Sequence, residues 1–129
     1  RTIKVFSKAC PLFVPLAEEG WSAKQIAVDI AREYLSVLKR KNIDALILGC
    51  THYPLLRNII RKVVGKKVTL VDSAREIACE VKRLLTEQEK RVPIRKRTRH
   101  KFLVSDRPQE FQKIAKAFLG KEIKNIIRI

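Results

Sequence analysis

The 129 residues contain no methionine, and glycine, aromatic residues and acidic side chains are all scarce. Four glycines and five prolines are too few for a fibrous or low-complexity chain. No apolar run approaches the roughly 20 residues that a membrane-spanning helix needs. No charged-then-apolar leader with a cleavage site opens the sequence, so no secretory signal is expected. The three cysteines, Cys10, Cys50 and Cys79, are odd in number and widely spaced. A disulfide framework is therefore not expected, and a reducing cytoplasm is the expected compartment. The absence of methionine and the opening at Arg1 suggest that the natural start lies outside this sequence, through processing or because the chain is a piece of a longer protein.

What is present is a globular composition, 46% hydrophobic and 33% charged, long enough to bury a real core. Lys and Arg number 29 against 13 Asp and Glu, a formal net charge of +16. Such a balance invites a nucleic-acid reading. The alternative is a thermophile-like surface: Ile, Lys and Arg are abundant, while Asn and Gln total seven. The second is preferred.

Strand and helix patterns alternate along the chain. Thr2-Ile-Lys-Val-Phe6 reads as a short strand. Two prolines in Cys10-Pro-Leu-Phe-Val-Pro-Leu16 point to an apolar loop rather than a helix, buried against something. Ser22 and Gln25 form a capping box, and Ile26, Ile30, Tyr34, Val37 and Leu38 predict the inner face of a helix closed by Asn42. Ala45-Leu-Ile-Leu48 reads as a strand covered on both faces. Pro54 opens a helix with Leu55, Leu56, Ile59, Ile60, Val63 and Val64 inward and Gly65 as its stop. Lys67-Val-Thr-Leu-Val71 is a strand, and Ser73 with Glu76 caps a helix whose inner face is Ile77, Val81, Leu84 and Leu85. A basic stretch follows from Lys90 to Lys101. Phe102-Leu-Val104 is a further strand, Ser105 or Asp106 caps a helix burying Phe111, Ile114, Ala115 and Phe118, Gly120 stops it, and the last five residues form a strand. The class is α/β with a largely parallel sheet.

The segment richest in chemistry is Leu46-Ile-Leu-Gly-Cys-Thr-His-Tyr-Pro-Leu55. Cys50 stands at the carboxyl end of a buried strand, where open α/β sheets bind ligands. The helix that follows favours anions at its start, a thiolate or a substrate carboxylate among them. Gly49 lets the backbone turn, Thr51 offers a hydroxyl and an N–H, and His52 offers a proton carrier. The plain alternative is a buried cysteine beside a capping threonine. A metal reading would use Cys50, His52 and Cys10, but it lacks a CxxC pair and a fourth ligand, so no metal is expected.

Gly49-Cys-Thr-His-Tyr-Pro-Leu-Leu56 closely resembles the second catalytic-cysteine motif of glutamate racemases. Ala9-Cys-Pro-Leu-Phe-Val-Pro-Leu-Ala-Glu-Glu-Gly20 is similar to the loop that precedes it. Val71-Asp-Ser-Ala74 resembles the segment where that family's chain leaves its second lobe, and the tail from Phe102 to Gly120 resembles the family's C-terminal segment. The resemblance implies a doubly wound α/β fold of two pseudosymmetric lobes. It also implies cofactor-free interconversion of L- and D-glutamate in the bacterial cytoplasm, to supply D-glutamate for peptidoglycan. One cysteine removes the α-proton and another returns a proton to the opposite face. By this resemblance Cys50 is the second cysteine, Thr51 and His52 hold the substrate, His52 also assists the thiol, and Glu18 orients that histidine, with Glu19 beside it as a rival. Cys10, Cys79, Tyr53 and Pro54 match no catalytic role. Aspartate and hydantoin racemases usually carry an acidic residue where His52 stands, which favours glutamate.

The family chain is about twice this length, and its Asp-Ser-Gly and Cys-Asn-Thr motifs do not occur here. The resemblance therefore implies a C-terminal half, with residues 1–73 completing the second lobe and residues 74–129 returning to the first. Its implied partners are glutamate and the missing N-terminal half, with a homodimer left open and no membrane. The alternatives are a related amino-acid racemase or amide-cleaving enzyme using Cys50, and a non-catalytic basic module binding a polyanion through the seven Lys and Arg between Lys90 and Lys101. That run has no aromatic residue between its charges, which weakens a stacking nucleic-acid site.

Overall fold

The computed structural model describes residues 2–90 and 100–129. Most of the basic run from Lys90 to Lys101 lies outside them. The elements are α1 (Phe13–Glu18), α2 (Gln25–Arg40), β1 (Ala45–Leu48), a 3₁₀ turn (Tyr53–Leu56), α3 (Arg57–Val64), β2 (Thr69–Asp72), α4 (Ser73–Glu87), β3 (Phe102–Val104), α5 (Pro108–Leu119) and β4 (Ile126–Arg128). β1 pairs in parallel with β2, Leu46 opposite Leu70, and β3 pairs in parallel with β4, Phe102 opposite Ile126. Each pair is joined through helices, as parallel strands require. The expected α/β class with parallel pairing is the observed one. The chain divides into two compact units, Arg1–Leu84 and Leu85–Ile129.

The first unit holds the main core. α2 and α3 pack together over one face of the β1–β2 pair, burying Leu35, Leu38, Leu48, Ile60, Val64 and Leu70. The predicted stripe on α3 is buried as expected, and Gly65 ends that helix at φ +90°. The Arg61 guanidinium reaches back to the Gly65 and Val68 carbonyls, closing the turn into β2.

Several local expectations are corrected. Residues 2–9 form no strand, and Ile3 and Val5 are each 85% exposed. Among the described residues, none offers this segment a pairing edge. The stretch from Cys10 to Leu16 is partly helical, because Pro15 falls in the first turn of α1, whose N–H groups need no helical acceptor. It is buried as expected, through Phe13, Leu16 and Ala17. The Ser22 capping box does not form. α2 starts at Gln25, whose amide bonds Asp29 instead, and a Trp21–Lys24 turn leads in, with the Lys24 ammonium 3.9 Å from the indole centroid. The buried face of α2 is Ala27, Val28, Ala31, Leu35 and Leu38, while Ile26 and Val37 are exposed. Close helix packing selects the small residues, and a search for large apolar ones turns the face by most of a residue step. Asn42 does close the helix, at φ +48°.

At α4 the cap is Asp72, whose carboxylate accepts the Ala74 and Arg75 N–H groups at 3.1 and 3.4 Å, rather than Ser73, the first helical residue. No residue of α4 is buried, and Ile77, Val81, Leu84 and Leu85 are all exposed. Only one face of β1 is covered, so Ile47 stays 67% exposed.

In the second unit, Val104 and Ile123 are buried, and the Gln112 amide donates to the Ile123 carbonyl at 3.2 Å. α5 has no side-chain cap from Ser105 or Asp106; Arg107 takes the N-cap position in the left-handed region. Ile114 and Ala115 are half-buried, but Phe111 and Phe118 are exposed. Gly120 stops the helix at φ +67°.

The two readings of α2 separate experimentally. Ala31, fully buried, should tolerate Ala31→Leu poorly, losing about 1–3 kcal/mol to overpacking. Ile26→Gln should change stability by less than about 0.5 kcal/mol. Urea denaturation of both variants measures the difference, and equal losses would contradict the observed face.

Candidate functional site

The site is built at the carboxyl end of β1. The strand stops at Leu48, Gly49 turns the chain, and the Cys50 carbonyl accepts the Tyr53 N–H at 3.2 Å. The His52 carbonyl then accepts the Leu55 N–H at 3.0 Å, starting the 3₁₀ turn in which Pro54 needs no donor. The expected helix at Pro54 thus begins as a 3₁₀ turn and becomes α-helical at Arg57. These bonds set Cys50, Thr51 and His52 on one short turn. Cys50 is partly exposed, Thr51 is exposed and His52 is half-buried.

The second element is α1. Phe13, 2% exposed, meets Tyr53 edge-on at 5.3 Å and Tyr34 of α2 at 5.6 Å. The Tyr53 hydroxyl donates to the Cys10 carbonyl at 3.3 Å, across 43 residues of sequence. Burial holds the Tyr53 phenol above its usual range, and the nearby Cys10 and Cys50 thiols push the same way. The phenol therefore acts here as a donor and a packing group. This clamp brings the end of α1 to the turn. The Glu18 Oε1 lies 3.2 Å from His52 Nε2, and no such contact involves Glu19. On the other side of the ring, Thr51 Oγ1 is 3.3 Å from Nδ1. In the neutral ring, Nε2–H donates to Glu18 and Nδ1 accepts the Thr51 hydroxyl.

The structure thus brings together Glu18, Thr51 and His52 on either side of one imidazole, next in sequence to Cys50. Cys10 is set apart. It is buried, with its Sγ 3.6 Å from the Lys8 carbonyl, and burial pushes its thiol up despite the opposing charge of Lys8. It stays protonated and packs. Cys79 is exposed on α4. Among the described residues, no three His, Cys, Asp or Glu side chains gather into a possible metal site. No helix is long and apolar enough to cross a membrane. Sequence reasoning undervalued Tyr53 and Phe13, which carry no chemistry but fix the distance between Glu18 and His52. Their signal was two aromatics, each in a motif already singled out.

Chemically, the arrangement offers an accessible thiol with a neighbouring imidazole whose two nitrogens are both held. That suits proton transfer at a single face of a bound molecule.

No family model matches the chain. The chain is 43% identical over 127 residues to the glutamate racemase of Geobacter metallireducens, covering 98% of this chain and 47% of that protein. It is 40% identical to the glutamate racemase of a Thermoanaerobacter species, along all of this chain and 48% of that protein. A solved glutamate racemase of Francisella tularensis, in complex with D-glutamate, superposes with a TM-score of 0.86 at 35% identity, over 98% of this chain and 47% of that one. The Thermus thermophilus glutamate racemase, in complex with beta-chloro-D-alanine, gives 0.81 at 43% identity, over 95% of this chain and 46% of that one. The chain spans about half the length of the curated relatives it matches.

The three thiols should report the site directly. Reaction with a disulfide reagent in the folded chain should be fast at Cys79, measurable at Cys50 and absent at Cys10 until unfolding. Cys10 and Tyr53 both have raised folded pKa values, so the stability they lend is whole below their unfolded values and is lost as pH rises through the folded ones. Stability should therefore start to fall above about pH 8.5, where an unfolded thiol ionises, and Cys10→Ala should flatten the first part of that fall. A thermal melt series in alkali checks the sign.

Proposed function

We propose that this chain, similar along nearly its whole length to about half of a glutamate racemase, is the half that carries the second of two catalytic cysteines. One observation carries the reading: the turn at Gly49 to His52, with Glu18 on the imidazole, stands in a chain 43% identical to such an enzyme over 98% of its length. The substrate is glutamate, and the reaction inverts its α-carbon without a cofactor. Residues 1–73 complete the second lobe of the whole enzyme and residues 74–129 return to the first.

In this reading the Cys50 thiolate takes the α-proton from one enantiomer, the electron pair of the C–H bond moving into the adjacent carboxylate. In the reverse direction the Cys50 thiol returns a proton to that carbon. A second base, supplied by the remaining half of the enzyme, serves the opposite face. His52 exchanges the proton with Cys50 and keeps the thiol supplied with the correct form. Thr51, with its hydroxyl and backbone N–H, holds a substrate carboxylate. Glu18 is a positioning residue: its carboxylate, 3.2 Å from Nε2, fixes the ring and favours its charged form. The product is D-glutamate for peptidoglycan, made in the cytoplasm, a setting that three unpaired cysteines support.

A chimera tests the reading: this chain replaces the matching segment of the Geobacter metallireducens enzyme, and α-proton loss from L- and D-glutamate is followed by NMR in deuterated buffer. The chimera should exchange and racemise both enantiomers. Cys50→Ala should lower the rate by about a hundredfold to ten-thousandfold, the usual contribution of a positioned acid or base. Glu18→Gln should cost less than about tenfold, because the carboxylate is half-exposed and a screened pair of this kind is worth about 1 kcal/mol or less. A folded chimera without exchange, or full activity in the Cys50→Ala chimera, would sink the proposal.

A further inference from the structure

The first unit contains a groove of about 1450 Å³ that the site does not use. One wall is residues 2–10, the other is residues 40–49, and Phe13, Leu35, Leu38 and Ile60 form its apolar floor. Small-molecule sites run to roughly 300–1,000 Å³, so this groove is large for a metabolite.

The backbone of both walls is unpaired on the groove side. The Thr69 N–H donates to the Asp44 carbonyl at 2.8 Å, so the groups of Asp44, Leu46 and Leu48 point toward β2. Strand alternation turns the N–H and C=O groups of Ala45 and Ile47 the other way, away from β2. Opposite them, residues 2–9 have the alternating pattern of a strand, yet among the described residues no backbone hydrogen bond joins them to one. Two strand-like segments, each lacking a neighbour, thus flank a trough floored by the helix layer on which a sheet would rest.

We infer that this groove receives a single β-strand from the remaining half of the enzyme, inserted between residues 2–9 and β1 to join them into one sheet. The inference rests on the reading above for its partner, since the curated relatives have as much chain again as this one. The strand is a segment of about four to six residues, matched to the four of β1. Its side chains are uncharged and mostly Val, Ile or Leu, because a strand paired on both edges in a parallel sheet is covered on both faces. One set packs on Leu35 and Leu38, and the insertion turns the exposed edge of β1 into an interior position.

The test mixes this chain with the remainder of the Geobacter metallireducens enzyme, produced as a separate polypeptide, and follows amide hydrogen exchange by mass spectrometry. Binding should slow exchange in peptides covering residues 2–9 and 43–49 together. Ile47→Pro removes a donor facing the groove and none facing β2, so it should weaken association by about tenfold or more. Ile47→Thr, which keeps the donor, should bind nearly as the parent does. Should Ile47→Pro unfold the chain, Val5→Pro tests the other wall. Association with protection elsewhere only, wild-type binding by both proline variants, or no association overturns the inference. Concentration-dependent protection in this chain alone also overturns it, since a second copy would then fill the groove. The chimera keeps the two readings apart. An active chimera with unprotected walls defeats the inserted strand and leaves the racemase standing, whereas an inactive, folded chimera with protected walls does the reverse.

Discussion

The arrangement of the site depends on one buried aromatic side chain. Phe13 packs edge-on against Tyr34 of the long second helix and against Tyr53 of the 3₁₀ turn. Edge-to-face pairs are worth about 0.5–1.5 kcal/mol beyond the area they bury, and Phe13 makes two. The Tyr53 hydroxyl adds a hydrogen bond to the Cys10 carbonyl, just before the first helix. Glu18 sits at the end of that helix, one and a half turns beyond Phe13. Its distance to His52 is therefore set by packing, not by the ion pair. An ion pair half-exposed to water would not hold two segments in place by itself.

The same unit is one-sided. Helices cover the Leu46, Leu48 and Leu70 face of the parallel pair, while Ile47 lies open on the other. The fourth helix repeats the pattern, with an apolar stripe from Ile77 to Leu85 that buries nothing in this chain. Helical hydrophobic periodicity reports the face that is covered in the finished protein. Where the stripe is strong and the face is bare, the covering element belongs elsewhere. That agrees with a chain spanning about half the length of its relatives.

The sequence made the alternation of elements legible, with the strand before Cys50, the stripe on the third helix and the glycine and asparagine stops. Each is a local signal: a short apolar run, a period of 3.6, a residue tolerant of positive φ. It made Cys50, Thr51 and His52 legible too, because they are consecutive. The misses share a cause of another kind. The strand expected at Thr2 to Phe6 depends on a neighbour that periodicity cannot supply. The inner face of the second helix was drawn through Ile26 and Val37 because large residues attract attention, whereas Ala27 and Ala31 mark where helices come closest. The caps went to Ser22 and Ser73 by motif. Asp72, one residue earlier, has the carboxylate that reaches two N–H groups. Glu18 and Glu19 could not be told apart in sequence; the turn of the first helix decides between them.

The exposure of the site bears on why one half would be a poor enzyme. A carboxylate and an imidazole at 3.2 Å attract weakly while water surrounds them, since the Coulomb energy scales inversely with the local dielectric. A thiol is no better placed, because a base for a carbon acid must be stripped of competing water to act. Both conditions change if a second lobe closes over the turn. The Glu18–His52 pair then strengthens without moving, and the Cys50 thiol meets its substrate in a dry space. The residues here need no rearrangement to become active, because Phe13 and Tyr53 already hold them in place. What the remaining half supplies, on this reading, is a second base and the exclusion of water. Preorganisation in one piece and desolvation by the other is a division that keeps proton transfer silent until the two are joined.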